Sequence, residues 1–215
     1  MGRPAALSRK MIVEGAVALV AEYGADALTA RRLGEAIGCD PSALYRHFAD
    51  MSDLQRAVGD HFLGAVRVSA RSNEDWRAAL RRICIALRAV QLQQPRLAVL
   101  VRAAPTRLAN ELRITEALLR ELSRGGFDAA KAAPAYHALV ELTVGSSAID
   151  AGLASETWTV RRRIYRGWRL DYAALDAVRF PHSVVVAPHL YAGTADERFE
   201  FALDAMIAGL APCSG

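Results

Sequence analysis

The chain of 215 residues carries 27 Lys+Arg against 23 Asp+Glu, a formal net charge of +4, and every cation except Lys10 and Lys131 is arginine. Its 53% hydrophobic and 23% charged residues describe a globular protein with room for one large domain or two small ones. No stretch of about 18 apolar residues is free of charge, so no membrane span is expected, and the polar Met1–Lys10 leads into no apolar signal core. Cys39, Cys84 and Cys213 have neither zinc nor disulfide spacing, which fits a reducing cytoplasm and no metal or cofactor. Abundant alanine and few β-branched runs point to an all-α fold.

Taken in order, Ser8 can cap a first helix with Ile12, Ala16, Leu19, Val20 and Tyr23 on one face, and Gly24 offers a left-handed stop. Thr29 caps a second, very short helix with Leu33, Ala36 and Ile37 inward, ended by Gly38. Asp40-Pro41 opens a third over Pro41–Phe48, since proline is tolerated at the first helical position. Asp50, with Asp53 three residues on, starts a long fourth helix over about Met51–Ala70 with Leu54, Val58, Phe62, Ala65 and Val66 inward. Asn73 can cap a helix carrying Trp76, Leu80, Ile83, Leu87 and Val90, and Pro95 starts a short one through Arg102. Leu108, Leu112, Leu119 and Leu122 mark another, stopped by Gly125-Gly126. Asp128 caps a helix with Ala132, Tyr136, Leu139, Val140, Thr143 and Val144 inward. Residues 151–193 read as loops around short helices, and a last helix spans about Asp196–Leu210.

Two helices this short, joined by a tight turn, are stable only against longer neighbours. Their order is that of a helix-turn-helix, whose second helix lies in the DNA major groove. Leu33, Ile37, Leu44 and Phe48 would form its core, leaving Pro41, Ser42, Ala43, Tyr45, Arg46 and His47 outside. Small residues at the N-terminal end allow close approach to base edges, while a hydroxyl, a guanidinium and an imidazole can reach phosphates. The run from Leu28 to Phe48, ending Leu44-Tyr45-Arg46-His47-Phe48, resembles the DNA-binding domain of TetR/AcrR-type transcriptional regulators, and the match extends over about Ser8–Val58.

That resemblance implies an N-terminal helix-turn-helix domain (1–53) and a larger helical ligand-binding and dimerisation domain (54–215), joined by the long fourth helix. It implies a cytoplasmic homodimer on a palindromic double-stranded operator, acting as a repressor released by a small-molecule effector. By matching position, Ala30, Arg31, Pro41, Ser42, Ala43, Tyr45, Arg46 and His47 are the DNA-contacting candidates. Met51 stands where the family often has lysine, so only its backbone N–H could bind a phosphate there. The N-terminal arm with Arg3, Arg9 and Lys10 could reach a flanking phosphate or the minor groove. The tail Arg198–Leu210, with Phe180-Pro181-His182 and Pro188-His189-Leu190, resembles the branch typified by TetR itself, which implies that the helices at 128–150 and 196–210 pair with their copies.

For the effector, polar or aromatic residues on otherwise apolar helices are the candidates: His61, Trp76, Arg102, Tyr136, His137, Thr143 and Trp158, with His61 and Tyr136 first. Arg161, Arg162, Arg163, Arg166 and Arg169, interleaved with Tyr165 and Trp168, read either as a second nucleic-acid surface or as a solvated helix with its aromatics turned inward. No Gly-rich phosphate loop, nucleophile elbow or supported carboxylate pair suggests an enzyme. A helical binding module without DNA affinity is the remaining alternative. Charge does not decide between these readings, because residues 1–53 hold six cations and seven anions while 54–215 hold 21 and 16.

Overall fold

A computed structural model describes residues 7–102, 105–154 and 156–210, and among these all regular structure is helical. The α-helices are α1 (Arg9–Tyr23), α2 (Ala30–Ile37), α3 (Met51–Leu63), α4 (Trp76–Gln93), α5 (Pro95–Arg102), α6 (Ala109–Arg124), α7 (Ala129–Ala154), α8 (Trp158–Ala173), α9 (Pro181–Val186) and α10 (Ala195–Gly209). A tighter 3-10 turn spans Ala25–Ala27, and a longer one, Pro41–Arg46, stands where the sequence predicts the third helix.

The first helices begin where a side chain accepts an otherwise unpartnered N–H. Ser8 takes that of Met11, Thr29 that of Arg32, Asp40 that of Ser42 and Asp50 that of Asp53. Gly38 closes α2 in the left-handed conformation, whereas Gly24 has φ 89° and ψ 169° and leads into the 3-10 turn. A Cβ on Gly34 would lie 2.8 Å from the Cys39 carbonyl oxygen, so glycine lets the turn fold back onto α2. Ile12, Ala16, Leu19, Val20, Leu33, Leu44, Phe48, Leu54 and Val58 form the core of this head, while Tyr23 and Ala36, expected inward, are exposed.

The predicted fourth helix is cut short: α3 ends at Leu63 rather than near Ala70. Gly64, Ala65 and Val66 close it with backbone bonds to Asp60, Phe62 and Leu63, and Val66 and Val68 remain buried beyond its end. The reason lies about fifty residues away. No side chain of its own caps α6, so Asp60 of α3, 8% exposed, accepts the N–H groups of Asn110 and Glu111 at 3.0 Å each. Gly64 packs so near that a Cβ there would meet Asn110.

The body is built around α4, which packs against α6, α7 and α10. Asp75, not Asn73, caps it, and Asn73 instead takes φ 60°. In α6 the buried face is Ile114, Ala117, Leu118 and Leu122, and Leu112 is exposed. The weak stretch 151–193 holds α8 and α9, and α10 starts with a capping box between Thr194 and Glu197. Arg88 of α4, 3% exposed, ties the body together: it donates to Asp150 (2.7 Å) and Ser146 (3.1 Å) of α7 and to Asp196 (3.2 Å) of α10, over the Phe199 ring.

Candidate nucleic-acid interface and effector site

The head turns one polar face to solvent. On the Pro41–Arg46 turn, Leu44 is buried under the head, which throws Tyr45 (50% exposed) and Arg46 outward. Among the described residues neither Tyr45 nor Arg46 makes a hydrogen bond or ion pair, so a phenol and a guanidinium face solvent beside each other. His47 is half-buried, and its carbonyl accepts from Arg9 at 2.5 Å. Pro41 and Ala43 are partly exposed at the start of the turn, where they add little bulk. The Ser42 hydroxyl is exposed but donates to Asp40 (2.5 Å), and that bond, with the Ser42 N–H, holds the Asp40 carboxyl below its usual range. On α2, Ala30 is partly exposed, and Arg31 is open to solvent while paired with Glu35 at 3.0 Å. Seven of the nine candidates thus come to one end of the molecule on α2 and the adjoining turn.

Two expectations about the rim change. Arg9 is not a free arm residue: it stacks 4.1 Å over Phe48, bonds His47 and sits 3.6 Å from Asp53, so it braces the turn against α1 and α3. Lys10 pairs with Glu14 on the surface, and Arg3 lies outside the described residues. Met51 opens α3 with its side chain packed against the core, and the carboxylates of Asp50 and Asp53 already accept from Asp53 and Ala49 N–H at that helix end.

The effector candidates scatter. His61 is exposed, one residue off the buried Leu54–Val58–Phe62 stripe, so its expected place on the apolar face does not hold. Trp76 is half-buried and closes the start of α4 on Phe127, edge to face at 5.6 Å. Thr143 is buried but spends its hydroxyl on the Leu139 carbonyl of its own helix (2.7 Å). Tyr136 is half-buried and joins α7 to α6 through Thr115 (3.0 Å), while His137 beside it is exposed. Trp158, 60% exposed, lines a cavity of about 740 Å³ with Tyr165, Tyr191, Arg161, Arg162 and Arg169. On α8, Tyr165 is buried and stacked on Tyr191 at 5.9 Å, while Arg162, Arg163 and Arg166 face solvent.

Arg102 differs from the rest. Its Nε and Nη2 are buried with no hydrogen-bond partner, and burial lowers its pKa from the usual arginine value. One residue that the sequence reading missed shares this property: Gln91 of α4 is 0% exposed with both Oε1 and Nε2 unpartnered. Its register was the available signal, since Leu80, Ile83, Cys84, Leu87 and Gln91 fall on one helical stripe. Such orphaned buried polar groups are rare in folded proteins and gather where a ligand completes them. α4 and α5 contact each other, and both contact α7. By contrast, burial pushes the Cys84 thiol up to about 11, and both Ser146 and Ser147 bond the Thr143 carbonyl, so none is an activated nucleophile.

Two family models cover most of the chain. Residues 12–58 match the bacterial regulatory proteins of the tetR family, and residues 70–213 match the tetracyclin repressor-like C-terminal domain. The chain belongs to the TetR family. It is 30% identical over 207 residues, 95% of this chain and 90% of the relative, to the class C tetracycline repressor protein of Escherichia coli. It is 27% identical over 205 residues to the class G repressor of Vibrio anguillarum, covering 94% of this chain and 93% of that protein. Among solved structures, the Streptomyces coelicolor TetR family protein ActR in complex with actinorhodin superposes with a TM-score of 0.85 at 26% identity, covering 96% of this chain and 97% of that one. The TetR-type protein is therefore a transcriptional regulator with a helix-turn-helix head and a helical ligand-binding body. Among its described residues no helix is long and apolar enough to cross a membrane.

Proposed function

We propose that the protein is a ligand-responsive repressor: residues 1–53 read a palindromic operator, residues 54–215 hold the effector and pair two copies, and effector binding releases the DNA. The observation that carries this reading is the free Tyr45–Arg46 pair, presented by a capped turn whose underside is buried. Tyr45, Arg46 and His47 contact phosphates, Pro41, Ser42 and Ala43 meet base edges, Ala30 and Arg31 flank them from α2, and Met51 contributes its backbone N–H. The homodimer forms through α7 and α10, supported by apolar side chains left in solvent there, Ile149 at 82% and Phe201 at 78% exposed.

The effector site lies about Arg102 and Gln91, and α5, which carries Arg102, packs against α3. Asp60 locks α3 to the start of α6, so a ligand that shifts α5 or α6 turns the head with α3. By linkage, an effector that weakens operator binding is itself held less tightly by the operator complex. ActR, solved with actinorhodin, is a precedent for a small molecule in this architecture. The test is selection of bound fragments from random genomic DNA with the full chain. A shared palindrome supports the reading, and recovery of no enriched sequence overturns it.

A further inference from the structure

We infer that the effector carries an anionic head group, a carboxylate or an equivalent oxyanion, bound along the Nε–Nη2 edge of Arg102. The inference rests on the effector-site reading above and gives that site its chemical class. Two arginines of the body cover guanidinium nitrogens, Arg88 wholly and the half-buried Arg102 at Nε and Nη2, and they are treated oppositely. Arg88 is surrounded by the Asp150 and Asp196 carboxylates and the Ser146 hydroxyl. Arg102 has two buried donors with no acceptor, and no carboxylate pairs with it among the described residues. Nε and Nη2 present parallel N–H groups whose spacing fits the two oxygens of one carboxylate, the geometry in which arginine binds anions most strongly.

A covered N–H of a charged group costs free energy until an acceptor completes it, and Nε and Nη2 of Arg102 are two such groups side by side. Gln91 on the neighbouring helix is a second buried side chain with an unpartnered amide. The buried side chains of α5 itself, Leu97 and Ala98, are apolar, which calls for an apolar frame beside the anionic group.

The experiment uses thermal unfolding of the full chain, wild type and Arg102→Met, a change that keeps the aliphatic stem and removes the charge. Without ligand, R102M is expected to raise Tm by roughly 2–4 °C by removing two covered donors that have no acceptor. The probes are 2-naphthoic acid, 3-phenylpropionic acid and decanoic acid, each beside its methyl ester. At least one acid is expected to raise the wild-type Tm more than its ester, and that difference vanishes in R102M. A lower Tm for R102M, a shift equal for acids and esters, no shift with any acid, or an acid shift that survives in R102M overturns the inference. Ester and acid acting alike leaves the effector site standing and removes only its anionic character. No shift from any probe, together with a lower Tm in both R102M and Gln91→Leu, marks both residues as structural and removes the effector-site reading too.

Discussion

The head and the body of this molecule handle polar groups in opposite ways. From Ser8 to Leu63 no buried side-chain donor or acceptor lacks a partner: the caps, the Asp40–Ser42 bond and the Arg9 bridge account for the polar groups next to the core. The reactive side chains, Tyr45 and Arg46, stand outside in water. In the body the free groups are inside, at Gln91 and Arg102. A reading surface is preorganised and complete before it meets DNA, whereas a receptor for a small molecule keeps unsatisfied groups for its ligand.

Breaking the network around the buried Arg88 gives the largest effect. Arg88→Ala is expected to cost about 3–5 kcal/mol in chemical denaturation, because it opens a gap in the core of α4 and leaves the covered Asp150 carboxylate without its partner. A loss below about 1 kcal/mol would show that water already screens the network. In the head, Leu44→Ala removes a 1% exposed side chain beneath the reading surface and costs about 2–4 kcal/mol, with operator binding falling alongside. Unchanged operator affinity in a destabilised L44A would separate the turn from DNA reading. Asp60→Ala uncaps α6 and costs about 1–3 kcal/mol, read in the same denaturation series. A stability unchanged by D60A would remove the proposed lock between α3 and α6.

The smallest effect concerns pH. Hydrogen bonds from Arg82, at 2.6 and 2.8 Å, hold the Glu74 carboxyl below its usual value. Its folded pKa then lies under its unfolded one, so its contribution is complete at neutral pH and is lost as pH falls through the folded value. Stability of the wild type should drop in acid more than that of Glu74→Gln, whose acid limb is flatter. Parallel acid limbs would assign the pH dependence to other carboxylates.

Much of the head was legible because its signals are local. Ser8, Thr29, Asp40 and Asp50 cap helices that begin within one or two residues of them, and Gly38 ends α2 in the left-handed region that glycine favours. The end of α3 was not legible, since it depends on Asp60 reaching a helix start fifty residues away, and periodicity alone carries the stripe on through Val66. His61 looked like a core polar group because a long helix was assumed around it. Gln91 belongs to no motif, and only its register with Leu87 and Cys84 betrays its burial. The aromatic faces of α8 depend on Tyr191, which the sequence leaves in a loop.

The central claim is that the Pro41–Arg46 turn binds DNA through Tyr45 and Arg46. The direct measurement is fluorescence anisotropy of the full chain on its selected operator, for wild type and the Tyr45→Ala/Arg46→Ala double variant, across roughly 50–200 mM salt. The expected result is an affinity lowered about 100-fold, from two lost contacts of about 1.4 kcal/mol each, with unchanged Tm and a shallower salt slope. Wild-type affinity and slope in the double variant would contradict the assignment.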